Sequence, residues 1–316
     1  MIEKTYVGID VSKAKLDIAI RREGLRKIAT FINSQEGIEE CRKWLSDNNA
    51  KEAIIVVEST GSLHWLVCLL LTDYGYDVRL INPLITKKYQ KSSIRDAKND
   101  KIDAIRLAEI GRIEENLPQF FDSRETLKIK RYESLLAKLV HAKQQIKRAY
   151  EDAIEASTII DVSLNLDCIL ECIELLDTAI DVLKKMITDT ADDLAKEISQ
   201  IKGVSIFQAT VLSTAIKGRS FENRDQMIAF FGLDIRVRQS GTWEGKGCLS
   251  KRGNPFYRKI LFQIGWSLWR HNEEYKAYYD SIHGRGKHYY TCILATARKF
   301  LRYFFRVYKF SLVNSL

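Results

Sequence analysis

Hydrophobic and polar positions in the first eighty residues follow the two-residue period of strands, interrupted by stretches with helical spacing. Strand-like runs occupy residues 6–10, 16–20, 27–31, 53–57 and 77–81. The first three are joined by short turns and predict a meander, whereas the unbroken β-branched fourth run predicts a buried central strand. Ser34 is suited to cap a helix that runs to about Asn48, and Gly61 precedes a helix that continues through Tyr74. The pattern therefore predicts a mixed α/β domain built on one sheet.

Three meander strands followed by helix, strand, helix and strand is an RNase H-like order of elements. From Asp122 the apolar spacing changes to heptads, which extend to about Ala153 and recur from Ile169 to Leu194. Two long helices in an antiparallel, coiled-coil-like hairpin are predicted, with the turn near residues 157–165. Periodicity alone leaves three roles open for this hairpin: a spacer, a dimerisation arm and a nucleic-acid grip.

A third, mostly helical region follows the predicted hairpin. An apolar helix is predicted over 206–215, after a tight turn that contains Gly203. Such a helix-hairpin-helix presents backbone N–H groups at a helix N-terminus, which suits a DNA phosphate. An ordinary turn between two helices fits the same residues equally well. The three patterns divide the chain into predicted domains at 1–121, 122–198 and 199–316.

The charge of the chain favours a polyanionic partner. Among its 316 residues, 50 Lys and Arg outnumber 41 Asp and Glu, which gives a formal net charge of +9. After Asp280 there is no acid, and the basic residues there alternate with aromatic ones. A terminal amphipathic helix is therefore predicted to bury its aromatic side and to turn its basic side towards phosphate.

Composition also indicates the compartment. No apolar run approaches the ~20 residues of a membrane span, and charged residues near the start interrupt any signal-peptide core. The six cysteines show neither a disulfide framework nor the spacing of zinc ligands. A cytoplasmic protein with no membrane partner is predicted.

Four carboxylates stand where a two-metal phosphoryl-transfer site needs them. Asp10 ends the first strand and Glu58 ends the central strand, and these strands are neighbours in an RNase H-like sheet. Asp100 and Asp103 lie three residues apart at the predicted start of a helix that runs to Arg112, so both share one helical face. Hard oxygen ligands of this kind suit Mg²⁺. A lone aspartate is more often a surface charge or a helix cap, but Asp10 and Glu58 each follow an apolar run that is expected to be buried.

Seven short motifs in a fixed order carry a family resemblance. They are Tyr-Val-Gly-Ile-Asp-Val-Ser-Lys at 6–13, Glu-Ser-Thr-Gly at 58–61, Ile-Asn-Pro at 81–83, Asp-Lys-Ile-Asp-Ala at 100–104, Ala-Phe-Phe-Gly-Leu at 229–233, Arg-Gln-Ser-Gly at 238–241, and Ser-Lys-Arg-Gly-Asn-Pro at 250–255 with Arg258. Together they span nearly the whole chain and resemble the DEDD transposases of insertion sequences. Those enzymes have an N-terminal RuvC-like nuclease domain and a C-terminal transposase domain.

The resemblance implies a reaction and its partners. Asp10, Glu58, Asp100 and Asp103 would be the set that binds Mg²⁺, expected as two ions. Ser240 would attack a DNA phosphate, and strands would be exchanged through a covalent intermediate. Donor and target DNA would be chosen by base pairing to a structured non-coding bridge RNA, in a homodimer or homotetramer. Without the resemblance, this serine and the glycine after it would indicate only a turn.

Further contacts to nucleic acid are predicted in the third region. Besides Gly203, they are Lys251, Arg252, Asn254 and Arg258, which surround a turn that meets a helix N-terminus, where phosphates bind readily.

Two departures from the family pattern and three alternatives remain. Val204-Ser205 follows the hairpin glycine where Ile-Gly is common, and Asp234 stands where Ser/Thr-Pro is common. A RuvC-like junction nuclease that uses water would not need Ser240, and a nucleic-acid-binding protein would need no metal. An actin-like ATPase would need a second Gly-rich phosphate loop, which the sequence lacks.

Overall fold

The computed structural model describes residues 4–59, 61–90, 100–114, 116–236, 239–240, 243–244, 247–251 and 253–313. The chain divides into two compact units, Met1–Leu127 and Lys128–Leu316, and each has its own hydrophobic core. Within the described ranges, no helix is both long and apolar enough to cross a bilayer. The predicted boundaries at 121 and 198 remain predictions.

A five-stranded mixed sheet forms the centre of the first unit. Its strands are β1 (Tyr6–Val11), β2 (Lys15–Arg22), β3 (Leu25–Ile32), β4 (Ile54–Glu58) and β5 (Asp77–Ile81). Their order in the sheet is β3-β2-β1-β4-β5, with β1, β2 and β3 antiparallel and with β4 and β5 parallel to β1. A three-stranded meander extended by two parallel strands is the RNase H-like arrangement, so the predicted α/β domain is confirmed.

The helices of the first unit are α1 (Gln35–Asp47), α2 (Trp65–Asp73), α3 (Pro83–Gln90) and α4 (Asp100–Ile113). As predicted, Ser34 caps α1, and its hydroxyl accepts a hydrogen bond from the backbone N–H of Gly37. The thiols of Cys41 in α1 and Cys68 in α2 are fully buried among the aliphatic side chains of the core. Both cysteines are free, as the sequence predicted.

The second unit is largely helical. Its helices are α5 (Arg124–Ile159, which begins in the first unit), α6 (Asp167–Thr188), α7 (Asp193–Ser199), α8 (Ile206–Ile216), α9 (Arg224–Phe230), α10 (Pro255–His271), α11 (Glu273–His283) and α12 (Tyr289–Val313). The two long helices that the heptads predict are present as α5 and α6. An ion pair between Lys143 and Asp177 joins them, and Leu136 and Ile180 are buried in one core. Coiled-coil packing between them remains a prediction.

Four two-residue strands precede α10: β6 (Ile235–Arg236), β7 (Gln239–Ser240), β8 (Trp243–Glu244) and β9 (Cys248–Leu249). They form two small antiparallel ladders, β6 with β9 and β7 with β8. The sequence did not predict them, because two residues are too few to show an alternating pattern.

The terminal helix α12 is amphipathic. Phe300 and Phe304 are completely buried, whereas Arg302 and Arg306 are exposed. Near its start, the buried thiol of Cys292 packs with Tyr279 of α11 in an aromatic cluster. The aromatic side therefore packs inward, and the basic side faces solvent.

Candidate active site

The sheet brings Asp10 and Glu58 to the same edge. Strands β1 and β4 are parallel, and their register pairs Ile9 with Val57. The next residues along the two strands are the two acids, and both are half-buried. Their backbone positions are therefore adjacent at the carboxyl ends of two central strands, where α/β proteins commonly place binding groups.

Helix α4 covers the face of the sheet on which both acids lie. A Cβ on Gly8 would lie 2.0 Å from the carbonyl oxygen of Ala104, and a Cβ on Gly111 would lie 2.6 Å from Cγ2 of Val56. Side chains in a strand alternate between faces. Asp10 follows Gly8 by two residues, and Glu58 follows Val56 by two residues. Both acids therefore lie on the face of the sheet that α4 covers.

The direction of α4 brings its first turn to the same edge. Gly111, near its end, lies against Tyr6 at the start of β1, whereas Ala104 lies against Gly8 further along the strand. The helix therefore runs antiparallel to β1, and its first residue, Asp100, lies towards the carboxyl edge. The positive end of the helix dipole favours carboxylates at this position.

Two of the predicted metal ligands already have hydrogen-bond partners. The hydroxyl of Thr86, a buried residue of α3, donates to Oε2 of Glu58. Arg106 donates from Nη1 to Oδ1 of Asp103 at 3.0 Å, one turn along α4. The first contact orients a carboxylate at the strand end, and the second neutralises a carboxylate in the helix.

The donor chemistry of this edge fits a hard divalent cation. The residues that would hold it are Asp10, Glu58 and Asp103, together with Asp100 at the helix start. In the part of the chain that the structure describes, no three His, Cys, Asp or Glu side chains lie close enough together to hold a metal ion. The pairing of Asp103 with Arg106 keeps one acid engaged elsewhere. Only oxygen ligands are offered, which is the preference of Mg²⁺.

A fifth acid beside the site was not predicted from the sequence. Asp17 lies opposite Asp10 in the β1–β2 register and is 1% exposed. Its carboxylate accepts a hydrogen bond from Thr30 at 2.6 Å and pairs with Lys15 at 2.9 Å. Burial opposes ionisation, but the bonds from Thr30 and Lys15 outweigh it and lower the pKa of Asp17, with a smaller contribution from Lys101. The signal in the sequence was one acid inside an otherwise apolar strand.

The predicted nucleophile lies in the second unit. Ser240 is the last residue of β7, and the register pairs it with Trp243 of β8. Gly241, which with Ser240 suggested a turn in the sequence, lies outside the described residues.

The predicted hairpin between α7 and α8 is present. Gly203 has a φ of +103°, which favours glycine, and a Cβ there would lie 3.2 Å from the Cα of Leu268 in α10. Ser205 caps α8 in a full capping box with Gln208. The glycine is therefore required by the turn and by a close helix contact, whether or not its N–H binds phosphate.

The predicted phosphate-binding residues surround the start of α10. Asn254 caps this helix and accepts from the N–H of Phe256 at 2.9 Å. Arg258 donates from Nη1 to the carbonyl oxygens of Lys251, at 3.1 Å, and of Gly253. The arginine thus holds the turn that precedes the helix, and the exposed Lys251 is available to solvent. Arg252 lies outside the described residues.

Two family models match the chain. One, described as a DEDD transposase model of the IS110 type, matches residues 7–158. The other, described as Transposase IS116/IS110/IS902 family, matches residues 195–280. The first match contains Asp10, Glu58, Asp100 and Asp103, and the second contains Ser240.

Known proteins similar to this chain include recombination proteins. A pilin gene-inverting protein of Moraxella bovis is 27% identical over 312 residues, which are 95% of this chain and 94% of that protein. A transposase for insertion sequence element IS1111A of Coxiella burnetii is 27% identical over 250 residues, which are 70% of this chain and 67% of that protein. Among solved structures, Thermus thermophilus RuvC in complex with a Holliday junction substrate is matched over 37% of this chain and 99% of that chain, with 11% identity and a TM-score of 0.27.

Proposed function

Since the chain belongs to the IS116/IS110/IS902 family of transposases, we propose that it is a DNA recombinase in which cleavage depends on Mg²⁺ and uses Ser240 as the nucleophile. The main support is the arrangement at one sheet edge, where Asp10 and Glu58 lie at the carboxyl ends of adjacent parallel strands and α4 begins with Asp100. That edge offers oxygen ligands on the face that the helix covers.

In the proposed step, Oγ of Ser240 forms a bond to a DNA phosphorus while the bond from that phosphorus to one deoxyribose oxygen breaks. The serine hydroxyl loses its proton as the new bond forms and the departing deoxyribose oxygen gains one and becomes a hydroxyl, so the phosphate is joined to the serine with no net change in protons. A deoxyribose hydroxyl of another strand then attacks the phosphorus, releases the serine and restores a phosphodiester. No phosphodiester is hydrolysed by water in either step. Bound Mg²⁺ would supply Lewis-acid stabilisation of the charge on the reacting phosphate.

The carboxylates and their partners have separate roles in this proposal. Asp10, Glu58, Asp100 and Asp103 hold the cations, and Thr86 orients Glu58 through its hydroxyl. Arg106 is bonded to Asp103, so it competes with a cation for that carboxylate. Cation binding at Asp103 would require the ion pair to open.

The proposed partners are donor DNA, target DNA and a structured non-coding RNA that selects both by base pairing. The working assembly would be a homodimer or a homotetramer. Lys251, Arg252 and Asn254 would bind a phosphate at the start of α10, where Arg258 holds the preceding turn, and Gly203 would bind a second phosphate at the α7–α8 turn. The relative from Moraxella bovis bears the name of a gene-inverting protein and is matched almost end to end, which favours site-specific recombination, including inversion, as the outcome.

A covalent adduct tests the nucleophile. Purified protein, with RNA transcribed from the DNA that flanks its gene, is incubated with end-labelled junction DNA and Mg²⁺ and quenched in denaturant. We expect a labelled protein–DNA species that disappears in Ser240→Ala and in EDTA. Asp10→Ala should also abolish it, and a mixture of Asp10→Ala with Ser240→Ala should restore it if the two groups act from different protomers.

The same experiment separates the alternatives. DNA cleavage without an adduct, unchanged in Ser240→Ala, would indicate a nuclease that uses water. Binding without cleavage in Mg²⁺ would indicate a protein that only binds nucleic acid. Adduct formation without the transcript would contradict the proposed RNA guidance but not the serine chemistry.

A further inference from the structure

A basic cleft lies at the opposite end of the sheet from the carboxylates. Its volume is about 690 Å³, and its charged lining residues are Lys4, Arg21, Arg22, Glu23, Arg26 and Arg112. Five of these six side chains are basic. Tyr6 at the start of β1 also lines the cleft, so the strand that ends near the carboxylates begins here.

The β2–β3 hairpin places two guanidinium groups directly opposite each other. The register pairs Arg21 with Arg26 and pairs Tyr6 with Arg21, so the three side chains form a row on one face. Gly24, with a φ of +70°, forms the two-residue turn that fixes this register. Like charges directly opposite in an antiparallel pair destabilise the sheet. The hairpin therefore places two like charges opposite each other, and among the residues that the structure describes only Arg21 of the two has a carboxylate partner, Glu109 of α4.

Among the residues that the structure describes, carboxylates neutralise only part of this positive charge. Glu109 of α4 lies between two of the cations: it bonds to Arg112 at 2.6 Å and to Arg21. One carboxylate is thus shared by two guanidinium groups. Lys4, Arg22 and Arg26 form no ion pair with any residue that the structure describes. Guanidinium groups without a carboxylate partner are suited to phosphate, which they bind through paired N–H donors.

We propose that this cleft binds the sugar-phosphate backbone of duplex DNA that flanks the cleavage site. The cleft and the carboxylate edge lie at opposite ends of the sheet face that α4 covers, because Tyr6, Gly8 and Asp10 alternate onto that face. Four residues of strand separate Tyr6 from Asp10, which is about 13 Å at 3.3 Å per residue. That distance is about four base pairs of B-DNA, and because α4 occupies the face between the two ends, a duplex that joins them would pass over the outer side of this helix. The cleft would bind flanking DNA irrespective of the base sequence.

Binding in EDTA tests the proposal separately from catalysis. It rests on the membership of the chain in a DNA-recombining family, but it needs neither Ser240 nor a metal. For the full chain with duplex DNA, we expect Arg22→Gln/Arg26→Gln to make the slope of log affinity against log salt shallower by about 1.8, which is ~0.9 for each phosphate that is no longer neutralised. The matched control is Arg42→Gln/Arg124→Gln, which removes two guanidinium groups paired with Glu39 and Asp73 elsewhere on the first unit. Its slope should equal that of the wild type.

Three outcomes would overturn the proposal. They are an unchanged slope in the cleft variant, an equally shallow slope in the control variant, and a shallower slope seen with structured RNA but not with duplex DNA. Whether Ser240 forms an adduct with DNA does not depend on any of these three outcomes, so the two proposals can fail separately.

Thermal unfolding tests whether the cleft variant is correctly folded. Because Arg26 opposes Arg21, Arg26→Gln should melt no lower than the wild type in the absence of DNA. Added duplex should raise the melting temperature of the wild type by more than that of the variant. A variant that melts lower without DNA would contradict the repulsion on which the proposal depends.

Discussion

Gly8 and Ala104 approach so closely that a Cβ on the glycine would lie 2.0 Å from the carbonyl oxygen of Ala104. The same Cβ would lie 2.4 Å from the amide nitrogen of Ala108, so the obstacle is helix backbone and not a side chain that can turn away. This contact seats α4 directly on β1. It sets where along the strand α4 lies, and its first turn is directed towards the edge that carries Asp10.

The first prediction concerns this contact. Gly8→Ala must push α4 off the sheet, so we expect it to lower the free energy of unfolding by about 1–3 kcal/mol, the usual range for overpacking. DNA cleavage should fall further than DNA binding, because the acids of the helix and of the sheet move apart. Urea unfolding and parallel cleavage and binding assays would measure these effects.

Gly111→Ala is the comparison for Gly8→Ala. Its Cβ would meet Cγ2 of Val56 at 2.6 Å and a ring carbon of Tyr6 at 3.2 Å, both in side chains that can shift. A smaller loss of stability is therefore expected. If Gly111→Ala lowers the free energy of unfolding as much as Gly8→Ala or more, the backbone contact at Gly8 is not what makes that position sensitive.

The elements that carry the site could be predicted from the sequence, because they are long enough to show a period. The buried strand ending at Glu58 and the helix starting at Asp100 are present as predicted, and the strand predicted to end at Asp10 continues to Val11. The need for a glycine at position 8 could not be predicted, because Ala104 of α4, against which it packs, lies almost a hundred residues away in the sequence. Asp17 was missed for a similar reason, because its neighbours across the sheet are invisible in a linear pattern.

The second prediction concerns the hydroxyl that orients Glu58. Thr86→Val keeps the shape of the side chain but removes the donor to Oε2. Removing such an outer hydrogen bond typically weakens metal binding 10–100-fold, so we expect the Mg²⁺ concentration for half-maximal cleavage to rise by about 10-fold. Thr86→Ser, which keeps the hydroxyl, should behave like the wild type. If the valine and serine variants need the same Mg²⁺ concentration, the hydroxyl does not orient a ligand.

The third prediction follows from a buried acid in the second unit. Glu133 of α5 is 3% exposed, and its Oε2 accepts a hydrogen bond from the hydroxyl of Tyr257 in α10 at 3.1 Å. Burial raises the pKa of Glu133 to about 8, although the bond from Tyr257 opposes this. In the unfolded chain the carboxyl ionises near pH 4.5. Unfolding between these values therefore releases a proton, and stability falls as the pH rises from about 4.5 to about 8.

Glu133→Gln should remove this part of the pH dependence. The melting temperature of the second unit should then change less between pH 5 and 8 than in the wild type, since the glutamine keeps an acceptor for Tyr257 and cannot ionise. Tyr257→Phe should extend the fall to higher pH, because it removes the bond that favours the ionised form. If the melting temperatures of the wild type and of Glu133→Gln change equally with pH, Glu133 is not a neutral buried acid.

The fourth prediction separates two roles for Arg258. Because Nη1 already donates to the carbonyl oxygens of Lys251 and Gly253, Arg258→Ala frees the turn before α10. We expect a lower melting temperature, and a change in the salt slope of DNA binding of less than the ~0.9 of one neutralised phosphate. Lys251→Ala, which removes an exposed cation from the same turn, should leave the melting temperature unchanged. A slope that is shallower by a full unit in Arg258→Ala would instead place its guanidinium on a phosphate.

The buried thiols allow the opening of each unit to be measured separately. Burial raises the pKa of Cys41 to about 12, and it also raises the pKa of Cys68 in the first unit and of Cys292 in the second. The thiolate is the nucleophile that attacks an alkylating reagent, so these side chains react only when their own core opens, whereas the exposed Cys168 reacts at once. The rate at which each thiol is modified therefore reports how often its unit opens, without any inserted label.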